Sequence, residues 1–186
     1  MMNIIQFRTL FRTNSKVLFP ILIILTAFSC VTNPENRPSP LRVETGKVDS
    51  VKIELTFSSP SVKNRKIFGD GEDYLEPYGE LWRTGANKAT SIQFSDNLLF
   101  ADIKVDSGKY SIFTIPNEEE WTLIFNKNWD QWGEYDYQDS LDVLRLSVPI
   151  DKPASKKEQM RLFIENDQLK FEWELATWSV PIASLP

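Results

Sequence analysis

Leu169-Lys170-Phe171-Glu172-Trp173-Glu174-Leu175 alternates apolar and polar residues without a break. Successive side chains of a strand point to opposite faces, so Leu169, Phe171, Trp173 and Leu175 are read onto one buried face. Residues 160–164 are a second apolar run, and Glu165-Asn166-Asp167-Gln168 between the two has turn composition, which predicts an antiparallel hairpin. The same signal recurs toward the N-terminus. Residues 51–57 alternate with period two, residues 91–94 and 98–105 read as a hairpin around Ser95-Asp96-Asn97, and Asp106-Ser107-Gly108 turns the chain into a strand at 110–115. Pro116-Asn117 is a further turn, before strands at 121–125 and 143–148. Helical pattern is scarce, with room for a single turn at 118–120 or within 137–144. Short alternating strands at roughly regular spacing predict an all-β fold, an antiparallel β-sandwich, with jelly-roll and immunoglobulin-like topologies both open.

The N-terminus reads differently. Arg8, Arg12 and Lys16 precede an apolar run at 17–28, which ends in Ala27-Phe28-Ser29-Cys30. The run is short of the roughly 20 residues that a membrane span needs, and Pro20 interrupts it. Basic, apolar and small-residue regions in that order make a secretory signal. The cysteine directly after a small residue makes it a lipoprotein signal, in which Cys30 is lipidated and becomes the new N-terminus. Residues 31–40 hold three prolines among polar residues and read as a tether. The expected organisation is a signal peptide at 1–29, the lipidated cysteine and tether at 30–42, and a single domain at 43–186. A membrane-anchored protein of the cell envelope follows, on the periplasmic or surface face of the outer membrane.

Composition excludes several chemistries. Removing residues 1–29 takes the formal charge from −5 to about −8, which argues against nucleic-acid binding through phosphate contacts. The chain has no histidine and one cysteine. Ser-His-Asp and Cys-His nucleophile systems, disulfides and His/Cys zinc sites are therefore excluded. No cofactor and no metal site is expected; Asp70-Gly71-Glu72-Asp73 lacks EF-hand spacing and reads as an acidic turn. Oligomeric state is left open.

Two stretches combine chemistry-bearing residues. Leu81-Trp82-Arg83-Thr84-Gly85-Ala86-Asn87-Lys88 offers an aromatic face, a guanidinium fork, an amide and an amine around a glycine turn. Residues 125–137 interleave Trp129, Trp132 and Tyr135 with amides and acids, Asp130 among them. Aromatic faces stack on sugar rings while amides and carboxylates hydrogen-bond hydroxyls. The candidate ligand-binding set is Trp82, Arg83, Asn87, Lys88, Trp129, Asp130, Trp132 and Tyr135. A plainer reading stands beside it: Trp82 is core, 85–87 is a structural turn, and 125–137 covers an open end of the sandwich with Trp129 and Trp132 plugged into the core. The acids Asp130, Glu134, Asp136 and Asp139 raise a carboxylate-based hydrolase or lyase as a further possibility, were two of them to face each other across a cleft.

Residues 77–90, 108–116 and 121–137, which carry Leu81-Trp82-Arg83-Thr84-Gly85-Ala86-Asn87, Gly108-Lys109-Tyr110 and Trp129-Asp130-Gln131-Trp132-Gly133, together resemble the DUF2911 family. The resemblance spans most of 43–186. It departs at Asp96-Asn97-Leu98-Leu99-Phe100-Ala101, where the family often has a Gly-rich hairpin. It implies a secreted or lipidated protein of the kind found largely in Bacteroidetes, and it brings no assigned activity and no catalytic residues. Three functional readings follow: a non-catalytic module for a small polar ligand or glycan, an envelope protein-interaction domain, and an enzyme.

Overall fold

The structure is a computed structural model, and it describes residues 37–185. The leader, Cys30 and most of the tether lie outside the described residues. The alternation seen in sequence becomes an all-β sandwich. One sheet holds β1 (Leu41–Val48), β2 (Val51–Ser58), β5 (Ala86–Phe94), β8 (Gly108–Ile115), β9 (Glu120–Asn126) and β10 (Asp142–Pro149), paired in that order. The other holds β11 (Lys157–Glu165), β12 (Gln168–Glu174), β13 (Ala176–Ser184), β6 (Leu98–Phe100) and β7 (Ile103–Val105). All pairings in both sheets are antiparallel. A two-residue parallel pair, β3 (Phe68–Gly69) with β4 (Glu76–Pro77), stands apart.

The C-terminal hairpin read from the sequence is β11–β12. Asn166 and Asp167 both have positive φ (52° and 54°) and Glu165 pairs with Gln168, the geometry of a two-residue primed turn. Leu169, Phe171 and Trp173 are buried as the alternation requires. Leu175 is exposed instead, because Glu174 takes a positive φ of 57° and ends the strand one residue early. The chain then adds β13, which the sequence reading lacked. It also lacked β1, whose residues from Leu41 to Val43 are exposed and carry no burial pattern.

Two further expectations are corrected. Residues 91–94 and 98–105 do not form a hairpin around Ser95-Asp96-Asn97. That segment crosses between the sheets, since β5 pairs with β2 and β8 whereas β6 pairs with β13 and β7. Residues 98–105 are two short strands, separated where Ala101 and Asp102 both adopt positive φ. Asp106-Ser107-Gly108 is likewise the crossing back and not a hairpin turn. The two crossings are tied together where Asn97 Oδ1 accepts the Ser107 N–H at 2.8 Å, and the second is braced by Tyr110 Oη, which donates to the Asp106 carbonyl at 2.8 Å. The one helical turn among the described residues is a 3-10 turn at Asp139–Leu141.

The core lies between the sheets. Leu55, Ile92, Ile112, Leu123 and Phe125 of the first sheet meet Phe100, Leu162, Leu169, Phe171 and Trp173 of the second. At one end an aromatic cluster closes it: Phe68 contacts Trp121 edge-on at 4.6 Å between centroids, and Trp82 stacks on Trp173 at 5.7 Å. Beyond β2 the chain staples the sandwich shut along one side, where Met160 N–H donates to the Pro60 carbonyl and Ser59 Oγ to the Met160 carbonyl.

Candidate functional site

Pairing across the first sheet aligns its outward residues in rows. One row runs Thr45–Glu54–Gln93–Lys109 and the next Val43–Thr56–Ser91–Ser111–Asn126. All of these side chains point away from the core; Val43, Thr45, Glu54 and Gln93 are exposed, whereas Ser91, Ser111 and Asn126 are buried. Further along the same face, Ala89, Phe113 and Ile124 make a second, smaller apolar cluster with Leu81, Ile115 and Tyr137 packed on it. An apolar patch on an outer face must be covered, and residues 127–138 cover it.

That loop is fixed by the backbone. The Ala89 N–H donates to the Gln131 carbonyl at 3.1 Å, and the Gly133 N–H to the Asn87 carbonyl at 3.0 Å, so the loop pairs locally with the start of β5. Buried Asn126 holds its base: Nδ2 donates to the Gln138 carbonyl and to Asp142 Oδ1, both at 2.7 Å, while Oδ1 accepts the Asn128 N–H at 2.9 Å. Buried Gln131 donates Nε2 to the Asn128 carbonyl at 2.6 Å. Two ion pairs clamp the loop from the side: Lys88 with Asp130 at 2.7 Å and Arg83 with Glu134 at 3.0 Å. The loop therefore lies across the outer face of the first sheet. It does not plug an end of the sandwich, and Trp129 and Trp132 do not enter the core. The two residues are 42% and 52% exposed, and Tyr135 is 79% exposed.

Trp129 stands at the edge of the polar rows, with Lys109 Nζ 4.4 Å from its ring centroid, a cation–π contact. Between this ring and β1 lies a cleft of about 220 Å³, lined by Leu41, Thr56, Ser91, Lys109, Trp129 and Asp130 among others. A wider depression of about 630 Å³ continues from the next row, lined in part by Thr45, Lys52, Glu54, Gln93 and Ser95. The Gln93–Lys109 pairing joins the two.

The structure divides the sequence-predicted residues. Lys88, Trp129, Asp130, Trp132 and Tyr135 share the loop surface, with Arg83 at its flank. Asn87 adopts φ 62° and donates Nδ2 to the Ser39 carbonyl at 3.5 Å, so it holds the chain just before β1 and does not line the cleft. Trp82 is buried in the core. Its Nε1 donates to the Gly85 carbonyl at 3.0 Å, and its backbone exchanges two 2.8 Å bonds with Thr114. Gly85 is required there, because a Cβ would meet Thr90 Oγ1 at 2.9 Å and the Ser58 carbonyl at 3.0 Å, at φ 155°. Much of the Leu-Trp-Arg-Thr-Gly-Ala-Asn stretch is thus architecture. Of the four acids, Asp130 and Glu134 are held in ion pairs, and Asp136 and Asp139 are exposed. Among the described residues no group of three metal-ligating side chains converges.

Sequence reasoning missed Lys109, Thr56 and Ser91, whose signal was their outward phase on strands whose other face is apolar. It also missed Glu76. Half-buried on β4, Glu76 has its carboxyl pushed up to about 8, chiefly by burial. Arg83 and Arg65 nearby pull it down and Glu134 pushes it up. Glu76 is therefore largely neutral at pH 7, which leaves Arg83 to Glu134 and the clamp on the loop.

A family model described as a protein of unknown function, DUF2911, matches residues 39–182. The chain belongs to this family. No curated protein and no solved structure matches it. The match takes in every strand of this DUF2911 domain except the last residues of β13, and it includes both the loop at 127–138 and the sheet face beside it.

Proposed function

We propose that the protein is a non-catalytic binding module for a small polar ligand or glycan, held at the cell envelope by a lipid on Cys30. The observation that carries the reading is the half-exposed Trp129 ring, fixed by a hydrogen-bonded loop beside the polar rows of the first sheet. An aromatic platform next to hydroxyl, amide and carboxylate groups suits a sugar ring: its C–H face lies on the indole and its hydroxyls reach Thr56, Ser91, Gln93 and Asp130. The tether supports the same reading. Pro40 accepts the Ser59 N–H at 2.9 Å and Leu41 lines the cleft, so the chain enters the domain beside the site. Ten residues separate Cys30 from Leu41, at most roughly 35 Å of extended chain. A lipid on Cys30 would keep the cleft within that distance of the membrane, and two or more acyl chains hold a protein there stably.

The test is thermal unfolding against neutral oligosaccharides and small polar solutes. A ligand at a hundred times its Kd stabilises by about 2.7 kcal/mol. The reading expects such a shift from at least one saccharide, and its loss in Trp129→Ala. A shift that survives Trp129→Ala would overturn the placement of the site. No shift across the panel would favour the second reading, a protein-interaction domain. That reading draws on β1, an eight-residue edge strand of the first sheet with Leu41 and Val43 exposed. The ion pairs of Asp130 with Lys88 and Glu134 with Arg83 weaken the motive for a carboxylate hydrolase built on these acids.

A further inference from the structure

On the far side of the aromatic loop from Trp129 lies a depression of about 470 Å³ that the glycan reading does not use. Lys109 lines the first cleft and Ile115 the second, six residues apart on β8 and hence separated by about 20 Å. Leu81 and Ile115, both half-buried, give this second depression an apolar wall. Arg145, outward on β10, gives it a cation. Its Nη1 donates to Asp142 Oδ2 at 2.7 Å and lies 3.1 Å from Tyr137 Oη.

The guanidinium is built in. The Asp142 side chain is only 8% exposed, and both its oxygens are engaged, Oδ1 by Asn126 and Oδ2 by Tyr137 Oη and Arg145, each at 2.7 Å. Tyr137 in turn packs edge-on against Phe113 at 4.9 Å. Burial and the Asp142 carboxylate push the Tyr137 hydroxyl up to about 12, so it remains a neutral donor. Among the described residues, the Nε–Nη2 edge of Arg145 has no partner, and that edge is a parallel two-donor fork matched to a carboxylate. The exposed Asp139 carboxylate lines the same depression and pairs with no cation among the described residues.

The charge balance selects the ligand. Asp142 and Arg145 offset each other, and Asp139 adds a net negative charge. A bare anion would be repelled by Asp139. A bare amine would leave the Arg145 fork unused, and a neutral apolar molecule would strip water from both charges with no return. We propose that this depression binds a zwitterion with an apolar body, an apolar α-amino acid, with its carboxylate on the Arg145 Nε–Nη2 edge, its ammonium on Asp139 and its side chain against Leu81 and Ile115. The volume falls in the range of small-ligand sites and exceeds what one such molecule needs.

The probes are L-leucine, 4-methylpentanoate, which lacks the amine, and 3-methylbutylamine, which lacks the carboxylate, titrated calorimetrically into the full chain at pH 7. Leucine is expected to bind, and each analogue about tenfold or more weaker, a difference of about 1.4 kcal/mol or more. Arg145→Gln would leave the Asp142 charge uncompensated and risk the fold. Arg145→Lys keeps the charge and loses the fork, so it should weaken leucine by about tenfold at an unchanged unfolding midpoint. Asp139→Asn should do the same. The proposal is overturned if leucine gives no binding at tens of millimolar, if either analogue binds as well as leucine, or if Arg145→Lys binds it unchanged.

Discussion

Replacing Glu76 by glutamine tests how the loop clamp is held. In the folded protein the Glu76 carboxyl titrates at about 8, against an ordinary value of 4.5. Between those two values the folded state holds a proton that the unfolded chain has released. Stability from this group is therefore fully present below about pH 4.5 and is lost as pH rises through 8. For a single group the loss accumulates across most of the window between pH 5 and pH 8 and amounts to a few kcal/mol, on the order of 1 kcal/mol for each pH unit. For a domain of this size that corresponds to a midpoint lower by roughly 10 °C. An amide at this position cannot ionise, so Glu76→Gln should flatten this slope and surpass the native protein in stability at pH 8. The assay is thermal unfolding of both proteins at half-unit steps from about pH 4.5 to 8.5, reading the difference between them so that exposed carboxylates cancel. Parallel curves would mean that Glu76 ionises normally in the folded state, and the account of Arg83 as free for Glu134 at neutral pH would fail.

Other perturbations separate architecture from surface. Trp82→Ala should destabilise by about 3–5 kcal/mol, since its ring is enclosed by Phe68, Trp121, Phe171 and Trp173; a midpoint within a degree or two of the parent would refute its place in the core. Asn126→Ala should cost about 1–3 kcal/mol and raise amide exchange at Asn128 and Gly133, because one side chain secures the base of the loop. Lys88→Ala should change stability by less than about 1 kcal/mol, its ion pair with Asp130 being exposed on both sides. Trp129→Ala should leave the midpoint nearly unchanged while removing saccharide binding, a separation that calorimetry and unfolding together would show.

The fold was legible wherever one face of a strand is buried and the other wet. The alternation in β2 and β12 maps directly onto their burial, and Asn166-Asp167 announces its own turn. What was not legible was pairing between strands distant in sequence. Nothing local in residues 95–108 says that β6 and β7 belong to the opposite sheet from β5 and β8. The register that decides it is set by β13, some eighty residues later. β1 was illegible for a different reason: an exposed edge strand has no apolar phase to read. The six tryptophans divide the same way. Trp121, Trp173 and Trp178 sit in phase on strands and are buried, whereas Trp129 and Trp132 fall between strands and are exposed. Trp82 lies outside a regular strand, so no phase distinguishes core from platform, and the sequence leaves both readings open.

The placement of the loop bears on what a ligand must do. Had residues 127–138 capped an open end of the sandwich, their aromatics would be spent on the core and a ligand could only add to a finished surface. Laid across the first sheet, the loop buries Ala89, Phe113 and Ile124 beneath it and leaves its rings outward. Its main-chain bonds to β5 and the Asn126 network fix the backbone before any ligand arrives. On the proposed binding reading, a ligand would meet an indole whose loop is already ordered, and most of the affinity otherwise lost to loop ordering would be retained. The consequence is kinetic as well as thermodynamic. Association should proceed in a single step at rates set by diffusion and orientation, in the ordinary range of about 10⁵–10⁷ M⁻¹s⁻¹. Stopped-flow tryptophan fluorescence would read it, and a rate that saturates with ligand concentration would refute single-step association by showing that a rearrangement limits it.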